Sequence, residues 1–158
     1  MKGQAKIIAT LNDLLADELT AINEYIVHSE MCANWGYARL HDMHEKRAIG
    51  EMKHAESLIE RILFLEGMPV VSKLNEIHIG PDVVRQLEND RNAEEGAIKA
   101  YNTSIRLAAE SNDNGTRELL EAIVKDEEEH IDQIEAHLDQ IKQMGVENYL
   151  AEQIRNSG

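Results

Sequence analysis

The sequence predicts an all-α protein, a four-helix bundle with a long crossover between the second and third helices and a short fifth helix towards the C-terminus. Three observations carry that expectation. Apolar residues recur at steps of three and four along four long segments, roughly 5 to 35, 40 to 66, 82 to 111 and 116 to 144. The composition is rich in Ala, Leu, Ile, Glu, Lys and Gln, with only two prolines and 4% aromatic residues, which favours helix over sheet. The breaks between the segments hold residues that stop helices.

The first helix has an inward stripe of Ile8, Leu11, Leu15, Glu18, Ile22 and Tyr25, and Asn34-Trp35-Gly36 ends it. In the second, Glu51, His54, Leu58, Ile62 and Leu65 share a face, and Gly67 and Pro69 follow. The third runs Leu87, Arg91, Glu94, Ile98, Tyr101, Ile105 before a break at residues 111–115, Ser-Asn-Asp-Asn-Gly. The fourth runs Leu120, Ile123, Glu127, His130, Ile134, Leu138, Ile141, and Gly145 separates it from an apolar tail near 147–155, the fifth helix. Short first and third connections make helices one and two, and helices three and four, antiparallel neighbours. Residues 67–81 can extend about 50 Å, enough to run the length of the bundle and set helices two and three parallel.

At 158 residues and 42% hydrophobic content the chain fits a single domain over 1–158, with no apolar run long enough to span a bilayer. The early polar residues Asn12, Asp13, Asp17 and Glu18 break up any signal-peptide pattern, so a cytoplasmic protein is expected. The one cysteine, Cys32, excludes an intrachain disulfide and a multi-thiolate metal site, and reads as a small buried hydrophobe. Thirty acidic against sixteen basic residues give a formal charge of −14, which opposes nucleic acid or an anionic membrane as partner and favours cations.

The polar residues repeat. Glu18, Tyr25, Glu51 and His54 recur 76 positions later as Glu94, Tyr101, Glu127 and His130. A Glu-x-x-His pair puts a carboxylate and an imidazole one turn apart on one helix face. Spacing alone is weak, because seven histidines and 21 glutamates make about one such pair by chance. Position is stronger: all six residues, Glu18, Glu51, His54, Glu94, Glu127 and His130, interrupt the apolar stripes and so point inward. Four buried carboxylates repel one another unless something positive lies among them. Arg91 is the nearest stripe-facing cation; otherwise the carboxyls hold protons or the site holds metal. Four carboxylates and two imidazoles suit two Fe(II) or Mn(II) ions with open positions for oxygen better than zinc.

This ligand set is that of ferritin-like di-iron proteins. Over nearly its whole length the sequence resembles the bacterioferritin family, most clearly at residues 12–23, 51–56, 58–67, 127–132 and 147–150. The resemblance implies a ferroxidase centre with two iron ions per subunit, Glu18 and His54 on one, Glu94 and His130 on the other, and Glu51 and Glu127 bridging. It implies oxidation of Fe(II) to Fe(III) by oxygen or hydrogen peroxide, with ferric mineral stored in a shell of 24 subunits. It also implies haem b shared between two subunits, Met52 of each supplying an axial ligand, haem assisting iron release, and a ferredoxin-type electron donor. Taken from the sequence itself, Met52 is ordinary packing on a face about 100° from Glu51. Tyr25 and Tyr101 lie two turns beyond Glu18 and Glu94, and read equally as core tyrosines or as partners of the ligand carboxylates.

Trp35 and His28 read as structural, and His41, His44, His78 and His137 as surface or interface residues. Lys46 and Gly50 stand where several relatives have further iron-binding side chains, which argues against an interior-surface iron site there. Glu45 and Gln133 replace residues aromatic in some relatives and weaken an electron path through them. Two other functions compete. A rubrerythrin-like di-iron peroxidase in its full-length form needs a thiolate site that one cysteine cannot build. A haem-binding electron-transfer bundle would leave the acidic core without redox work.

Overall fold

The computed structural model describes residues 1–155, so the last three positions of the expected domain, 156–158, lie outside the described residues. It contains α1 (Ala5–Trp35), α2 (Ala38–Phe64), α3 (Val83–Glu110), α4 (Asn114–Met144) and α5 (Val146–Gln153), with no strand among the described residues. The fold is the expected all-α bundle with a short C-terminal helix.

Side-chain contacts fix the topology. His41 of α2 meets Ser29 of α1, while Leu65, just past the end of α2, accepts from Gly3 before the start of α1, so the two helices are antiparallel. Tyr25 reaches Glu94 and Tyr101 reaches Glu18, so α3 also runs against α1 and is therefore parallel to α2. Arg61 near the end of α2 bonds Thr116 at the start of α4, and Arg47 bonds Gln133, which makes α4 antiparallel to α2.

The crossover runs along α1, held by its polar edge. Val70 N–H donates to Asn12, Asn75 N–H to Thr20, His78 N–H to Glu24 and Gly80 N–H to His28, four contacts climbing α1 in order. Two apolar clusters flank the middle of the bundle. One gathers Leu11, Leu15, Leu58, Ile62, Leu120 and Ile123 near the α2–crossover end, and the other Cys32, Leu40, Leu87, Ile134 and Tyr149 near the opposite end. Burying each such aliphatic side chain contributes about 1.5–3 kcal/mol. The polar cluster lies between them.

The helix ends depart from the sequence reading in two informative ways. Left-handed backbone ends α1 at Gly36 (φ 84°), as expected, but after α2 it falls on Glu66 (φ 61°) and after α3 on Asn112 (φ 57°). Gly67 is instead small because a Cβ there would lie 2.7 Å from Ile8 Cγ2. Likewise the break expected through 111–115 ends earlier, since Asp113 caps α4 by accepting from Thr116 N–H, and Asn114 and Gly115 are helical. Gly115 makes room for Arg61, whose guanidinium lies 2.7 Å from where its Cβ would be and donates to Asp113. Gly145 ends α4 as expected, and α5 folds back so that Tyr149 Oη meets His137 Nδ1 at 2.6 Å.

Candidate metal centre

Each of the four long helices brings one glutamate to the middle of the bundle, and α2 and α4 each add a histidine one turn on. Glu18, Glu51, Glu94, Glu127 and His54 are buried and His130 is nearly so. The six residues form two groups able to hold a cation, Glu18, Glu51, His54 and Glu127, and Glu51, Glu94, Glu127 and His130.

Atom by atom, the groups share two members. His54 Nδ1 lies 3.7 Å from Glu18 Oε1, 3.7 Å from Glu51 Oε2 and 3.1 Å from Glu127 Oε1. His130 Nδ1 lies 3.2 Å from Glu51 Oε1, 3.8 Å from Glu94 Oε1 and 3.4 Å from Glu127 Oε2. Glu51 and Glu127 thus present one oxygen to each histidine, while Glu18 and Glu94 each face one. The imidazole rings stack at 6.2 Å between centroids.

A neutral imidazole nitrogen and a carboxylate oxygen both carry lone pairs, so such contacts need a proton or a cation between them. Glu18 Oε2, Glu51 Oε1, Glu94 Oε2, Glu127 Oε2 and His130 Nδ1 are buried without a hydrogen-bond partner, an unusual concentration of unpaired acceptors in one core. Burial and the neighbouring Glu18 push Glu51 up to about 8. Burial, then Glu127, holds Glu94 well above the usual carboxylate range. For His54 burial opposes the charge, yet Glu127, Glu18 and Glu51 hydrogen-bond it and keep it protonated. The metal-free cluster therefore keeps its protons, and cations that displaced them would meet a complete donor set.

The two tyrosines serve the opposite half of the chain. Tyr25 Oη on α1 donates to Glu94 Oε1 on α3 at 2.5 Å, and Tyr101 Oη on α3 donates to Glu18 Oε1 on α1 at 2.5 Å. Each bond orients a carboxylate and links α1 to α3, a contact that the two-turn spacing within one helix does not reveal. A cavity of about 510 Å³ opens between α1, α3 and the crossover and reaches Glu18, Glu51, Glu94 and Glu127, with Asp17, Glu24 and Glu76 also in its wall.

Several residues differ from their sequence reading. Arg91 does not face the cluster; it pairs with Glu135 at 3.4 Å on the surface, because its long side chain turns outward to water. His44 is not a surface residue but is 1% exposed. His41 meets Ser29, His137 meets Tyr149, and His78 is exposed. Asp126, which drew no attention in the sequence, lies 3.0 Å from His54 Nε2. It stands one residue before Glu127 and off the apolar stripe, so periodicity offers no signal for it. Met52 is 44% exposed beside Ile22, Ile26 and Ile49, and Ser29, Glu30, Glu45 and Ala48 complete a shallow hollow there. Lys46 is exposed, and a Cβ on Gly50 would come 4.0 Å from His130 Cε1. No helix among the described residues is long and apolar enough to cross a membrane.

Comparison with known proteins agrees with this architecture. Residues 8–144 match the ferritin-like domain family. The bacterioferritin of Mycolicibacterium paratuberculosis is 39% identical over 152 residues, 96% of each chain. The bacterioferritins of Brucella melitensis and Rhodobacter capsulatus are each 38% identical over 149 residues, 94% of this chain and 92% of theirs. A four-helix bundle with paired Glu-x-x-His motifs, matched along almost its whole length, thus belongs to the ferritin-like family and, within it, to the bacterioferritins.

Proposed function

We propose that this protein takes up Fe(II), oxidises it at the Glu/His cluster and stores the ferric product as mineral inside a homo-oligomeric shell of 24 subunits. One observation carries the ferroxidase reading: Glu51 and Glu127 each direct one oxygen to His54 and the other to His130, which is the arrangement of two bridging carboxylates between two metal positions. Glu18 with His54, and Glu94 with His130, complete the two positions.

Two Fe(II) ions are the substrate. Each gives up one electron, and the pair reduces hydrogen peroxide to two waters, or oxygen to hydrogen peroxide, with two protons consumed. The residues supply binding and charge balance: four carboxylates offset the four charges of two divalent ions, and Tyr25 and Tyr101 hold the terminal carboxylates in place. The acidic cavity wall of Asp17, Glu24 and Glu76 raises the local concentration of cations. Replacing Glu127 by Ala removes a donor from both positions at once, and Fe(II) oxidation followed by absorbance should fall at least a hundredfold; parent-like oxidation would sink the ferroxidase reading.

The hollow around Met52 fits one half of a haem site. The Met52 thioether, exposed among Ile22, Ile26 and Ile49 on a largely apolar face, would hold haem iron as a soft ligand, and Met52 of a second copy of the chain would do the same. Bound there, haem would supply one-electron transfer for reductive iron release, with a ferredoxin-type donor. Met52→Leu should remove the haem absorption band from the purified protein while leaving the shell assembled; a retained band would refute the assignment.

A further inference from the structure

A second cluster of unpaired buried groups lies on the far side of Tyr25 from the paired centre. Tyr25 donates to Glu94 through its hydroxyl, and its ring stacks on His44 with 6.1 Å between centroids. His44 sits on α2, Asp90 on α3, and Glu24 and His28 on α1. All four side chains are at least nine-tenths buried, and none belongs to the six-residue set above. His28, His44 and Asp90 can bring ligand atoms within 4.8 Å of one another.

Hydrogen bonds sort these residues into roles. His28 Nε2 accepts from Gly80 N–H at 3.0 Å, so the ring proton is on Nδ1, which donates to Asp90 Oδ1 at 2.9 Å. Both His28 nitrogens are thereby used, and its effect is to fix the orientation of Asp90. One oxygen of Glu24 accepts from His78 N–H at 3.1 Å. What remains is Asp90 Oδ2, Glu24 Oε2 and both nitrogens of His44, all buried without a hydrogen-bond partner. His44 Nδ1 lies 3.5 Å from Asp90 Oδ2.

His44 Nδ1 and Asp90 Oδ2, from α2 and α3, converge here, with the unpaired Glu24 carboxyl of α1 beside Asp90. Arg47 is the nearest cation, but its guanidinium bonds Gln133 at 2.8 Å. A single proton shared between the Glu24 and Asp90 carboxyls would leave His44 unpartnered, and an orphaned buried imidazole is destabilising. A metal ion between His44 and Asp90 satisfies both. With metal–ligand bonds of about 2.0–2.2 Å, donors 3.5 Å apart subtend roughly 110° at the metal, the tetrahedral value.

We propose that His44 Nδ1 and Asp90 Oδ2, with His28 holding Asp90 and the neighbouring Glu24 carboxyl turning in as a third donor, form a second binding site for one divalent transition-metal ion such as Zn(II), Co(II) or Fe(II). One imidazole and two carboxylates suit these borderline ions better than Ca(II) or Mg(II), which prefer an all-oxygen set. Burial lowers His44 to about 3, so its lone pair is free at neutral pH. Glu24 lines the acidic cavity, which gives the ion a way in. The inference stands independently of the ferroxidase reading, although Tyr25 connects the two sites.

Zn(II) titration of the metal-stripped full-length protein, read by calorimetry and by metal analysis after desalting, tests it. H44Q and D90N should each bind one equivalent fewer per chain than the parent, in the E127A background as well as alone. In the parent, crystals soaked in Zn(II) should give an anomalous peak between His44 and Asp90, a readout that needs no variant to fold. A parent-like count in folded H44Q and D90N, or no peak at that position, would overturn the proposal. Zn(II) found between His44 and Asp90 but not at Glu51 and Glu127 would uphold it while removing the paired centre.

Discussion

The two halves of the chain supply matching candidate ligands but do not support them equally. His54 Nε2 has the Asp126 carboxylate 3.0 Å away, which fixes its ring with Nδ1 facing Glu127. The 76-residue offset that maps His130 onto His54 maps Asp126 onto Gly50. No side chain can reach His130 from that position, although a Cβ there would come within 4.0 Å of the ring. A carboxylate behind a ligating imidazole fixes its tautomer and raises its basicity. The His54 side of the cluster is therefore preorganised, and among the described residues no carboxylate stands behind His130.

The sharpest way to break this comparison is to exchange the support. D126N should weaken the metal position at His54 by about 10–100-fold in Zn(II) or Co(II) titrations, and G50D should tighten the position at His130 by about tenfold. Equal affinities in both variants would mean that the asymmetry has no thermodynamic weight.

A second difference between the halves concerns acid. His28 and His44, buried in the first, correspond to Ser104 and Leu120 in the second, which cannot titrate. Burial depresses His28 to about 4 and His44 to about 3. Below pH 6.5 the unfolded chain protonates these rings while the folded one does not, so their contribution to stability is present above pH 6.5 and is lost as pH falls towards 4 and 3. Each contributes a slope of about 1.4 kcal/mol per pH unit in that window. In denaturant melts of metal-free protein, H44Q should lose less stability than the parent between pH 6.5 and pH 4; an unchanged slope would show that His44 does not titrate there.

The smallest effect is expected where the halves are most alike. Tyr25 and Tyr101 make reciprocal 2.5 Å bonds to Glu94 and Glu18. Y25F and Y101F should each cost about 1 kcal/mol in metal affinity, less than tenfold, and to the same degree. Unequal losses, read from the same titrations, would place the asymmetry deeper than Asp126 and Gly50.

Much of this was legible in the sequence because helix period and ligand placement share one signal. Glu18, Glu94 and Glu127 fall in register with Leu15, Leu87 and Ile123, so their burial follows from the same steps that bury the leucines. The crossover was legible from length alone, since fifteen residues can span the bundle. What could not be read depended on contacts between distant segments. Asp126 meets His54 across 72 residues, and His44 is buried because Asp90 and His28 arrive from other helices. Arg91 occupies a stripe position yet reaches out to Glu135, since a long cationic side chain need not follow its own Cβ.

The crossover has one further consequence. Its amides at Val70, Asn75, His78 and Gly80 are secured by side chains of α1 rather than by backbone partners. Releasing it breaks no helical hydrogen bond, so its opening free energy is separate from that of the bundle. In hydrogen–deuterium exchange the segment would form its own cooperative unit, graded along its length. Exposed Val70 and Asn75 would exchange first, and Gly80, anchored on buried His28, would exchange last. The side of the acidic cavity formed by Asn75, Glu76 and His78 would then move while the helices that form its other walls stay folded.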